Sequence, residues 1–153
     1  MRHQPTFRSL LWQVIVIALL FVAAVAWAVY ERQRPADVDA LRISAGDLAS
    51  FAAEGRLLAE QTAQGRLQHT YAEQERRFID QKVEAERKSL DRGVTDPGLV
   101  GVARQLREAA QRISTQLRAL ASLSERSARR EDIARSLDAT RRELLALERA
   151  LQH

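Results

Sequence analysis

Between Arg8 and Glu31 the chain runs for 22 residues, Ser9 to Tyr30, without one charged side chain, and all 44 of its Lys, Arg, Asp and Glu lie outside that run. As a helix at about 1.5 Å per residue the run extends roughly 33 Å, against about 30 Å for a bilayer core. Trp12 stands near one end and Trp27 and Tyr30 near the other, where amphipathic rings favour the headgroup region. Gln13 and the small pair Ala24/Ala28 offer close packing to another helix in the membrane. The sequence therefore predicts a short basic leader over 1–8 and a single N-terminal transmembrane helix over 9–30. A cleaved secretory signal is the competing reading, because Ala24-Val25-Ala26 and Ala26-Trp27-Ala28 both match a small-x-small cleavage pattern. The run is longer than an ordinary signal core and Trp27 sits inside the second pattern, which favours the anchor.

The rest of the chain is built differently. The whole chain, with the uncharged run included, is 46% hydrophobic, yet its mean hydropathy is −0.32, which requires apolar and charged residues to be segregated. With no cysteine, disulfides, Cys-ligated zinc, iron–sulfur clusters and thiol catalysis are excluded. Beyond residue 30 the aromatic residues are Phe51, Tyr71 and Phe78 alone, few for a compact enzyme of this size.

Residues 31–36 read as a juxtamembrane linker in which Pro35 stops a helix running straight out of the membrane. The clearest punctuation after it is Arg92-Gly93-Val94-Thr95-Asp96-Pro97-Gly98. Gly93 suits the left-handed position just past a helix end. Asp96 and Pro97 suit the N-cap and first residue of a new helix. On either side apolar residues recur at spacings of three and four: Leu48, Phe51, Gly55, Leu58 and onward to Ile79, Val83 and Leu90, then Leu106, Ile113, Ile133, Leu137 and Leu144. Such spacing with charged flanks indicates coiled-coil helices.

The expected fold class is thus all-α: the transmembrane helix, then a long antiparallel helical hairpin over 37–153 with its turn at 93–98, assembling into a helical bundle. Folding about that turn pairs positions whose numbers add to roughly 191, setting Leu58 against Ile133 and Ile79 beside Ile113. The hairpin is about 80 Å long, with a polar waist at Thr62, Gly65 and His69. Because two helices bury only one narrow seam, self-association into a four-helix bundle is expected. An alternative breaks the second arm at 124–131 and yields a three-helix bundle. Acid-to-base pairs four residues apart, among them Glu73/Arg77, Glu84/Lys88, Glu108/Arg112 and Asp138/Arg142, support the exposed helix faces.

No motif for catalysis or for a cofactor emerges. His69 has Glu73 one turn on, but zinc needs three or four ligands, and Asp91 and Asp96 lack the ligand spacing of a calcium loop. Arg76-Arg77, Arg129-Arg130 and Arg141-Arg142 are interleaved with acids and the net charge is only +4, which argues against nucleic-acid binding. The chain is expected to be non-enzymatic, with no metal and no cofactor. The expected role is a spacer or docking element in a membrane complex, its partners the lipid bilayer and other membrane or extracytoplasmic proteins. Alternatives are a sensory or regulatory module binding a ligand at the waist, and a secreted adaptor or chaperone if the N-terminal segment is cleaved. A signal-anchor orientation places residues 31–153 outside the cytoplasm; Arg2 and Arg8 against Arg32, Arg34 and Arg42 leave the cytoplasmic orientation open.

Overall fold

A computed structural model describes residues 16–27, 36–94, 96–121 and 127–152. The chain divides into two units, 1–34 and 35–153. In the first, the described residues 16–27 form one uncharged helix, α1, on which Ile17, Leu19, Leu20, Phe21 and Val22 are exposed. Its 12 residues amount to about 18 Å. Among the described residues no helix is long and apolar enough to cross a membrane, so the expected span over 9–30 is not carried by the structure. Ala24 and Trp27 lie on α1, both exposed, whereas Trp12, Gln13, Ala28 and Tyr30 fall outside the described residues.

The second unit is all-helical among its described residues: α2 (Val38–Ala63), α3 (His69–Leu90), a 3-10 turn (Pro97–Leu99), α4 (Val100–Ala121) and α5 (Ser127–Ala150). The α2 helix starts where Asp37, in extended conformation, accepts a 2.8 Å hydrogen bond from the Ala40 N–H, occupying one of the free donors of the first turn. It ends at Gly65, whose φ of +66° belongs to the left-handed region. There the N–H of Gly65 donates to Thr62 O at 3.2 Å and that of Arg66 to Gln61 O at 3.0 Å, the double closure of a Schellman cap. After α3, Gly93 takes φ +83°. The Asp96 side chain then accepts from the Gly98 N–H at 2.8 Å, with Pro97 as the first residue of the 3-10 turn.

The first arm is therefore not one straight helix. It breaks at 64–68, and the Ala36 N–H donates to Gly93 O at 3.0 Å, which brings the start of α2 beside the end of α3. Ser44 on α2 donates to Glu86 on α3, and Lys82 lies 3.6 Å from Glu54, so the two run antiparallel. The second arm divides likewise, Arg112 on α4 meeting Glu143 on α5 at 2.7 Å. The expected 80 Å hairpin and the three-helix alternative give way to four antiparallel helices of 22–26 residues, each about 33–39 Å long. One chain thereby closes a four-helix bundle by itself.

Pairing between the arms is nevertheless close to the expected register. Across α2 and α5, Gly55 faces Leu137, Arg56 binds Asp138 at 3.4 Å, and the Arg130 guanidinium donates to Thr62 O at 3.1 Å; these numbers add to 192–194. Across α3 and α4, Ser114 donates to Asp80 at 2.7 Å and Arg107 approaches Asp91 at 4.0 Å, adding to 194–198. The core between the helices holds Leu41, Leu48, Ile79, Val83, Leu106, Ile113, Leu117, Leu137 and Leu144, all fully buried, with alanines between them. At Gly55 a Cβ would stand 3.1 Å from Leu117 and 3.3 Å from Leu137. The absent side chain lets α2 approach α4 and α5 closely.

Candidate interaction surface

The three residues of the expected waist come to one end of the bundle and do not form a mid-rod constriction. Thr62 lies in the last turn of α2, where its hydroxyl donates to Leu58 O at 2.6 Å, Gly65 forms the turn, and His69 opens α3, exposed. Beside them Glu73 accepts from Arg76 at 2.8 and 2.9 Å and from Arg77 at 2.8 Å. These hydrogen bonds, reinforced by the two positive charges, hold the Glu73 carboxyl at about 2 and raise the Arg76 guanidinium above its ordinary value. Thr62, His69, Arg76 and Arg130 line a cavity of about 30 Å³, room for roughly one water and far below a ligand pocket of about 300 Å³. Arg130 meets a carbonyl at the C-terminal end of α2, where acceptors lack helical partners. Among the described residues no group of three or more His, Asp or Glu is placed to hold a metal ion.

The turn residues Gly93, Asp96, Pro97 and Gly98 are exposed at the opposite end of α3. Their geometry is self-satisfied: Asp96 is occupied by the Gly98 N–H and Gly93 O by Ala36. None of these four residues carries a large apolar side chain.

The largest apolar side chains on the bundle surface are elsewhere. Tyr71 and Phe78 of α3 are 55% and 51% exposed, and their spacing of seven puts them on one helix face. The Lys82 ammonium lies 4.3 Å from the Phe78 ring centre and 5.5 Å from that of Phe51 on α2, a cation–π contact. All three aromatic residues of the bundle thus lie on the α2–α3 side. The sequence displays this in the Phe78/Lys82 spacing of one helical turn, which reads as a seam neighbour only when α3 is taken for part of a longer rod.

The surrounding charges divide into local and bridging pairs. Arg77 and Arg142 follow the four-residue spacing, to Glu73 at 2.8 Å and Asp138 at 3.0 Å. Glu84 turns to Arg87, which lowers its carboxyl, and Arg112 leaves Glu108 to bridge helices at Glu143. On α2, burial and the neighbouring Glu86 raise the Asp47 carboxyl. Interhelical pairs such as Asp80 with Ser114 and Arg118 set the azimuth of one helix on the next.

Comparison with family models, curated proteins and solved structures finds no match to this chain.

Proposed function

We propose that this chain is a non-enzymatic interaction subunit of a membrane complex, a four-helix bundle tethered to the bilayer through residues 9–30 and docking a neighbouring protein by the outward face of α3. The observation that carries the docking is the placement of Tyr71 and Phe78, half exposed, one heptad apart and flanked by Lys82. Aromatic side chains held on a rigid helix lose little entropy on contact and dominate protein interfaces. The tether rests on the 22 uncharged residues, long enough to span the hydrocarbon core. Partners of this kind are membrane or extracytoplasmic proteins, met when the bundle faces away from the cytoplasm.

A photo-crosslinking residue at position 74, on the same helix between the two rings, tests the docking in native membranes. The expected result is a single crosslinked species that disappears in the Tyr71→Ala/Phe78→Ala double variant, whose unfolding midpoint changes little. Capture of the protein alone, or capture that survives the double variant, overturns it. The tether is tested separately: the chain should resist alkaline extraction from membranes with its intact mass retained. A mass lacking residues 1–26 or 1–28 identifies the cleaved, secreted form instead.

A further inference from the structure

The α2 helix carries a second ordered face, turned away from the core. Leu41, Ala45, Leu48, Ala52, Gly55 and Ala59 point into the bundle and are buried. Nearly opposite them on the helix, Ile43, Gly46, Ser50, Ala53 and Leu57 recur at spacings of three and four. Ile43 is 60% and Leu57 48% exposed, large aliphatic side chains that the bundle leaves uncovered. With Ile43, Ser50 and Leu57 at heptad position a and Gly46 and Ala53 at d, the e edge carries Asp47 and Glu54 and the g edge Arg42 and Arg56. Acids close the stripe at Asp39 and Glu60, and each is matched in its own chain, by Arg42 at 3.1 Å and by Arg56 at 3.6 Å. Glu54 has Lys82 at 3.6 Å. Asp47 meets no cation among the described residues, and burial and Glu86 push its carboxyl up.

We propose that two copies of this chain form a parallel, two-fold symmetric dimer along the outward faces of their α2 helices. Ile43, Ser50 and Leu57 each meet their own counterpart, so that both exposed aliphatic side chains are covered at once. In a parallel pair a g residue reaches the e residue five positions on in the second helix. Arg42 of each copy therefore meets Asp47 of the other, which supplies the cation that Asp47 lacks. The occupant is a second copy because the acidic edge of α2 fits the basic edge of the same helix. An antiparallel pair would set the acidic edge against itself. Beside the stripe, the Glu148 carboxylate of α5 lies 3.5 Å from where a Cβ of Gly46 would stand, and it turns aside as the second helix closes. The contact from 43 to 57 is about 21 Å long, the scale of a weak, reversible interface that dissociates on dilution. Its direction suits two chains tethered in one bilayer, but the dimer does not rest on the tether.

The test uses the full chain in detergent, with micelles in large excess over protein. The chain has no cysteine, so Gln152→Cys, at an exposed position, takes a donor or an acceptor fluorophore, and energy transfer between chains reports association. Arg42→Asp alone and Asp47→Arg alone should each lower the association constant about tenfold, since two attractive pairs become two repulsive ones. Mixing the two variants, one with the donor and the other with the acceptor, sets opposite charges together at both pairs. That mixture should associate within about threefold of the parent chain, a rescue that no change within either chain can produce. Ile43→Glu/Leu57→Glu should abolish association and leave the unfolding midpoint nearly unchanged, because both sites are exposed. Association that neither charge reversal weakens, as from contacts through residues 9–30, overturns the proposal. So does association that mixing fails to restore, or energy transfer that never rises with protein concentration.

Discussion

The helices α2 and α3 come from one stretch of continuous heptad spacing, yet they are used in opposite ways. In α2, six of 26 residues are charged, and nine are buried, most of them alanine, glycine or serine. In α3, ten of 22 are charged and only four are buried. Small residues let α2 lie at the centre of the bundle's contacts, touching α3, α4 and α5. The α3 helix buries a single narrow seam and gives its remaining faces to ion pairs and to two exposed aromatic rings. Close approach stabilises the first helix, and surface chemistry distinguishes the second.

Substitutions can break that contrast, starting with the most damaging. Leu48→Ala in α2 should cost about 2–5 kcal/mol in denaturant unfolding, since the side chain is fully buried and the cavity cannot collapse. Gly55→Leu should cost about 1–3 kcal/mol, because Leu117 and Leu137 already crowd the site; a neutral result would mean α2 is not closely packed. Ser114→Ala should cost about 1 kcal/mol by taking a hydrogen bond from Asp80. Phe78→Ala in α3 should cost only about 0.5–1 kcal/mol, the scale of an exposed cation–π contact.

The smallest effect is set by pH. The Glu73 carboxyl lies at about 2 in the folded chain, below its ordinary value near 4.5, so it favours the folded state when ionised. Its contribution is full above the ordinary value and is lost as pH falls through that range toward 2. Comparing thermal unfolding of the protein with Glu73→Gln from pH 7 to 2 should show a gap that closes across this window. A gap unchanged at pH 2 would place the effect of the substitution elsewhere.

Much of this fold is legible before any coordinate. The turn around Asp96-Pro97 is a local signal and reads directly, because a cap depends only on neighbouring residues. The inter-arm register is legible to within a few residues, since cross-arm contacts add to 192–194 between α2 and α5 and to 194–198 between α3 and α4, against the roughly 191 expected. The break at Gly65 is hidden by the heptad pattern that runs through it, although a glycine after Thr62-Ala63-Gln64 is the same helix-end signal that Gly93 displays. The alanines at 45, 49, 52 and 59 escape a search for large apolar residues, and they determine how closely the helices approach. The α3 surface is missed for the same reason as the break. Tyr71 and Phe78 each precede a buried residue, Ala72 and Ile79, so in the sequence they read as flanks of the heptad seam, and their exposure is set by which face α3 turns to α2 and α4.

The central claim is that each arm doubles back within one chain. Since the protein has no cysteine, Ile43→Cys and Lys88→Cys, both at exposed positions, permit two spin labels on a single chain. Measured at high dilution in micelles, where the single-chain form prevails, their separation should be under about 25 Å, as expected for labels on adjacent helices 8–10 Å apart. A separation of about 68 Å, that of 45 residues in one unbroken helix, would contradict the account.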